Sequence, residues 1–130
     1  MRTLAFLVCA AALPAAAQDA MTAAEFDAYV TGKVLTYSAG GPPYGVEEYQ
    51  ENRRVAWRLG EDECQYGIWY PKGTEEICFL YEGDPDEKCW IFFERAEGLE
   101  ARYTSDASNF TLYEIEVGDR LICPGPRVGV

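Results

Sequence analysis

Two short apolar runs, Ile77-Cys-Phe-Leu-Tyr81 and Cys89-Trp-Ile-Phe-Phe93, flank the turn-forming stretch Gly83-Asp84-Pro85, and each run carries a cysteine. No other feature constrains the fold as strongly. Folding the chain back at that turn makes a β-hairpin and sets Cys78 opposite Cys89 for a cross-strand disulfide. Successive side chains of a strand point to opposite faces. Ile77, Phe79, Tyr81, Trp90 and Phe92 therefore share one face, while Cys78, Leu80, Cys89, Ile91 and Phe93 share the other. Both faces are apolar. Such a hairpin is either central in a sandwich or lines a cavity on one side.

Period-2 alternation continues on both sides of the hairpin. Val34 to Ser38 reads as a first strand, and Val55, Trp57 and Leu59 alternate with Arg54 and Arg58. Tyr66, Ile68 and Tyr70 alternate with Gly67 and Trp69, and Leu99, Ala101 and Tyr103 form a further strand. Leu112 leads into Tyr113, Ile115 and Val117, set against Glu114 and Glu116. Thr22-Ala-Ala-Glu25 predicts a capping box opening a short helix that ends near Gly32. Gly40 to Gly45 is a loop by composition. Residues 46–54 (VEEYQENRR) read as a turn or a single helical turn. The expectation is a mainly β fold: a small antiparallel meander forming a barrel or a sandwich, with one short N-terminal helix.

Residues 1–17 (MRTLAFLVCAAALPAAA) have the three parts of a secretory signal: Arg2, an apolar stretch over 4–13, and the small-residue site Ala15-Ala-Ala17. Cleavage there leaves residues 18–130 as a single all-β domain. Val8 precedes Cys9, where a lipid-anchored signal carries a small residue, so Cys9 is read as part of the removed peptide. No run approaches the roughly 20 apolar residues of a membrane span. Once Cys78 pairs with Cys89, Cys64 pairs with Cys123. A four-thiolate zinc site is disfavoured because no two cysteines stand in C-x₂₋₄-C spacing, and exported thiols oxidise. The location expected is periplasmic or secreted, in a bacterium.

The chain has 11 Lys+Arg, 22 Asp+Glu and no histidine, for a formal charge of −11. That balance disfavours nucleic acid, whose phosphates require a basic face. Lack of imidazole removes Ser-His-Asp triads, Cys-His dyads and His-ligated zinc. An enzyme would have to work with Asp/Glu, Tyr or Lys, and no nucleophile motif or phosphate loop accompanies them. The acidic knots Glu61-Asp-Glu63 and Asp84-Pro-Asp-Glu87 fall on turns and lack EF-hand spacing, so they read as solvated charges. No metal and no cofactor is expected.

Aromatic residues cluster between Tyr44 and Trp90. They serve cores, and they also anchor partners because they join large apolar area to a polar handle. The candidate binding surface comprises Trp69, Tyr70, Tyr44 and Trp90 with the basic pair Arg53 and Arg54. Trp69 leads it, since its parity is opposite to that of Ile68 and Tyr70. The arginines could clamp a carboxylate or phosphate, or simply neutralise Glu47, Glu48 and Glu51.

The runs Arg53-Arg-Val-Ala-Trp57, Glu63-Cys-Gln-Tyr-Gly-Ile-Trp-Tyr70, Ile77-Cys-Phe and Cys89-Trp-Ile-Phe-Phe93, with the closing Pro124-Gly-Pro-Arg-Val-Gly-Val130, carry a resemblance. Over residues 25–130 the chain resembles small exported proteins of alphaproteobacteria that share a G-x-W-Y strand and a C-F…C-W hairpin. That group has no assigned activity, so the resemblance implies an exported β-fold and transfers no functional residue. The functional expectation is a non-enzymatic, monomeric binding module for a partner protein or a small ligand, with basic partners favoured by charge. Alternatives are an inhibitor of a cationic envelope hydrolase or protease, a structural envelope protein, and a histidine-independent enzyme.

Overall fold

A computed structural model describes residues 19–124. The expectations for residues 1–17, Cys9 and the final residues lie outside the described residues. One helix, α1 (Ala23–Val30), precedes eight strands: β1 (Val34–Ser38), β2 (Pro43–Tyr49), β3 (Arg54–Leu59), β4 (Gln65–Lys72), β5 (Glu76–Tyr81), β6 (Lys88–Arg95), β7 (Gly98–Tyr103) and β8 (Thr111–Gly118). Each strand pairs antiparallel with the next, and β8 returns to pair with β1. The meander therefore closes as a barrel, which resolves the choice between barrel and sandwich. Its hairpin behaves as its residues dictate: Cys78 lies directly opposite Cys89, and the two are bridged. Ile77, Phe79 and Phe92 are buried inside, while Leu80 stays 37% exposed outside.

The helix plugs one end of the barrel. Its capping box forms, with Thr22 N–H donating to Glu25 Oε1 at 3.0 Å and Glu25 N–H donating to Thr22 Oγ1 at 3.2 Å. Phe26 and Val30, four residues apart, fall on the same helix face, and both are fully buried. The Phe26 ring packs against Phe92 at 4.4 Å and edge-on to Trp69 at 5.1 Å. Gly32, at φ +84°, ends the helix in a conformation that suits glycine, and its N–H donates to Tyr49 O at 2.8 Å. This end of the barrel is closed.

A second, smaller cluster lies on the outer surface. Leu121, just beyond β8, packs on Val34 and Ala56, with Val46, Tyr66, Cys64 and Cys123 around it. The Cys64–Cys123 disulfide fastens this C-terminal segment to the β3–β4 loop. Its sequence separation is 59 against 11 for Cys78–Cys89. On the chain-entropy model the longer loop contributes about 4 kcal/mol and the shorter about 3. A Cys64→Ser/Cys123→Ser double variant is therefore expected to lose more stability in urea than Cys78→Ser/Cys89→Ser. Equal losses, or the reverse order, would count against an unfolded-state origin.

Three local expectations need correction. Residues 43–49 are strand, not loop and turn: β2 begins at Pro43 and runs to Tyr49, and only Glu51–Arg53 form a single 3₁₀ turn. Parity in β4 is reversed. Trp69 is buried at 1% exposure and Ile68 is 47% exposed. Both parities of β4 are apolar, so its sidedness is set by its partner: Trp69 lies opposite the inward Phe79. Gly67 permits the close approach of β5, since a Cβ there would sit 2.2 Å from Leu80 O. Parity in β8 is likewise reversed, leaving Tyr113, Ile115 and Val117 exposed. Leu112 lies opposite the inward Ala101, and a register shift against β1 occurs between Thr36 and Tyr37. Glu114, two residues on, accepts the Tyr29 hydroxyl of α1 at 2.9 Å. Burial and that carboxylate push the Tyr29 hydroxyl up to about 12.

Candidate functional site

Opposite the plugged end, the barrel opens into a cavity of about 300 Å³. Four loops surround its mouth: β1–β2, β3–β4, β5–β6 and β7–β8. The upper wall is aromatic. Tyr44 packs against Phe110 at 5.5 Å between ring centroids, Trp90 against Tyr103 at 4.8 Å, and Tyr44 against Trp57 at 6.3 Å. Gly45 allows this wall to form, because a Cβ there would come within 2.3 Å of the Trp57 ring. An indole can lie flat across β2 only if that residue has no side chain.

The floor is polar and buried. Glu47 is 2% exposed, and its Oε1 accepts the Tyr81 hydroxyl at 2.9 Å. The Tyr37 and Tyr49 hydroxyls share a hydrogen bond of 2.8 Å beside it. Among the described residues, Glu47 Oε2 and Trp69 Nε1 are the buried side-chain polar atoms without a hydrogen-bond partner. An unsatisfied buried oxygen costs about 1–3 kcal/mol. Burial pushes the Glu47 carboxyl well above the ordinary glutamate range, and the opposing Tyr81 bond does not offset it. Burial likewise raises the Tyr37, Tyr49 and Tyr81 hydroxyls, with the Glu47 charge adding to the effect in each. Lys88 is the one cation lining the cavity. Its ammonium is paired with the Asp84 carboxylate and also reaches the Asp86 carbonyl.

Of the six candidate surface residues, the structure brings Tyr44 and Trp90 to the cavity. Trp69 is not a surface residue at all: it packs at the closed end under the Arg53 guanidinium, 4.8 Å from the ring. Tyr70 donates its hydroxyl to Glu87, which also pairs with Lys72. Arg54 borders a separate outer groove with Ile68 and Leu80. The arginine pair therefore lies away from the cavity mouth. It cannot neutralise Glu47, which is enclosed by the barrel. Glu76, Cys78 and Cys89 bring three potential metal-ligand atoms together, but both sulfurs are committed to a disulfide. Among the described residues no helix is long and apolar enough to cross a membrane.

The chain matches no protein-family model, no curated protein and no solved structure.

Proposed function

We propose that the protein is a binding barrel that takes a small, largely apolar ligand into the cavity at its open end. One observation carries this: a blind, aromatic-walled cavity whose floor holds a buried carboxyl oxygen that no protein group satisfies. Small-molecule sites are concave and mostly apolar, with a few placed polar groups, and have volumes of roughly 300 Å³ upward. Binding rather than turnover fits the floor, where the carboxyl is surrounded by phenols that burial keeps protonated. Two disulfides support an oxidising location, which accords with export to the periplasm or beyond.

The test is titration with Nile red, a neutral apolar dye whose emission rises in a dry site. One saturable equivalent is expected, with quenching of the cavity-lining Trp57 and Trp90. Ala101→Phe, which fills the cavity from β7, should abolish that binding while thermal unfolding shows the variant folded. Emission that does not rise, or that Ala101→Phe leaves unchanged, would refute the cavity as a binding site.

A further inference from the structure

We propose that the ligand is an organic cation: a protonated amine on an aromatic or alkyl body, its ammonium held on the cavity floor by Glu47 Oε2. This rests on the cavity reading above and specifies its ligand. Three independent features of the molecule lead to it.

The first is the acceptor set on the floor. Glu47 lines the cavity, its Oε1 is occupied by Tyr81, and its Oε2 is buried without a partner. An ammonium has three donors and no acceptor. The Tyr37 and Tyr49 hydroxyls, near enough for the Glu47 charge to act on both, offer further lone pairs. A carboxylate ligand would bring no donor of its own to the lone pairs of this floor.

The second is the wall. Tyr44, Trp57, Trp90, Tyr103 and Phe110 surround the path to the floor. Aromatic faces carry negative electrostatic potential and attract cations by about 0.5–2 kcal/mol each, more as water is excluded. The same faces stack on an apolar body.

The third is the mouth. Its loops carry Glu61, Asp62, Glu63, Asp84, Asp86 and Glu87, and residues 39–42, 60–64, 82–87 and 104–110 contain no Lys or Arg. Lys33, Arg53, Arg54 and Arg95 lie toward the closed end. A net-negative rim raises the local concentration of cations and their on-rate. Three cations reach these acids, and each is ion-paired: Arg58 with Glu61, Lys72 with Glu87 and Lys88 with Asp84. Asp62, Glu63 and Asp86 have no ion pair among the described residues and keep the rim net negative.

The binding step balances simply. In the empty protein the buried carboxyl favours its protonated form. When the ammonium arrives, that proton leaves to the buffer, and an ion pair with a charge-assisted hydrogen bond replaces it.

The experiment is isothermal titration of the intact chain with three probes that share one body: 4-phenylbutylamine, 4-phenylbutan-1-ol and 4-phenylbutyrate. The amine is expected to bind on the order of 10- to 100-fold more tightly than the alcohol, the range of a hydrogen bond to a charged partner. Repeating the titration in buffers of different ionisation enthalpy should show proton release with the amine and none with the alcohol. Glu47→Gln should erase the amine's advantage over the alcohol. The head-group ranking and proton release need no variant, so they decide the matter even if Glu47→Gln fails to fold. Equal or tighter binding of the alcohol or the carboxylate overturns the proposal, as does an amine preference that survives Glu47→Gln. If none of the three binds while Nile red does, the cationic ligand is wrong and the cavity reading stands. If Nile red also fails, the cavity reading itself falls.

Discussion

Replacing Phe26 with alanine is expected to cost about 3–5 kcal/mol of unfolding free energy, the range for truncating a fully buried aromatic. The ring is inaccessible to solvent and meets Trp69, Phe92, Tyr49 and Phe79 at centroid distances between 4.4 and 6.4 Å. Its neighbours are anchored on four different strands of a closed barrel, so they cannot collapse into the space it leaves. Urea denaturation with both disulfides intact measures the loss. Leu80→Ala, on the exposed outer face, serves as the control and should stay within about 0.5 kcal/mol. Trp69 emission should also shift to the red as water enters the plugged end. A Phe26→Ala cost below about 1 kcal/mol would show that the helix is an accessory and not the plug.

The second large effect is a stability that falls as pH rises, caused by Glu47. Folded, this carboxyl ionises well above the ordinary glutamate value of 4.5, because burial penalises its charged form. Between those two values the folded chain holds a proton that the unfolded chain has released. Stability must then decrease with pH, by up to about 1.4 kcal/mol per unit, from near 4.5 until the folded carboxyl ionises. The groups facing Glu47 do not mask this. Tyr37, Tyr49 and Tyr81 are pushed further above 10, and Lys88 is held by Asp84. Asp84 and Glu87, whose carboxyls are lowered chiefly by hydrogen bonds from Lys88 and Lys72 respectively, act with the opposite sign and in a lower window, where acid protonates them. Glu47→Gln keeps an oxygen for the Tyr81 hydroxyl and removes the titration. Its stability is expected to be nearly flat where the native chain declines, so the native protein should be the less stable of the two in mildly alkaline buffer. Parallel pH profiles for the two proteins would show that Glu47 reaches water in the folded state.

Much of the scaffold was legible in the residues. A hairpin apolar on both faces requires something packed on each side. The structure supplies the barrel interior on one side and a disulfide with exposed Leu80 on the other. Thr22 and Glu25 announced the helix, and cysteine placement gave both bridges. The site was not legible, and β2 shows why. Gly45, Glu47 and Tyr49 point inward while Val46 packs outward against the cluster around Leu121. Covering part of the outer surface with the C-terminal segment makes an outward apolar residue stable, so alternation keeps its period but loses its direction. In β4 and β8 the outward apolar residues Ile68, Tyr113, Ile115 and Val117 stay exposed, so alternation there gives no direction either. Trp69 faces inward because Phe79 and Phe26 lie there, and Phe26 is distant in sequence. Glu47 looked like one of three surface acids near an arginine pair. Only closure of the barrel separates it from them.

Closure has a further consequence, for the order in which the molecule assembles and for where it tolerates change. Seven of the eight strand ladders join neighbours in sequence, and the β1–β8 seam alone joins chain segments far apart. Local ladders form with little loop entropy, whereas the seam must overcome most of that cost in one step. Helix α1 directly precedes β1, so seating Phe26 among rings on β2, β4, β5 and β6 also carries β1 toward its place at the seam. The mouth, by contrast, is made of hairpin turns closed by their own two strands, with the β3–β4 turn also held by the Cys64–Cys123 bridge. Insertions and substitutions there can alter what enters the barrel without touching the step that builds it.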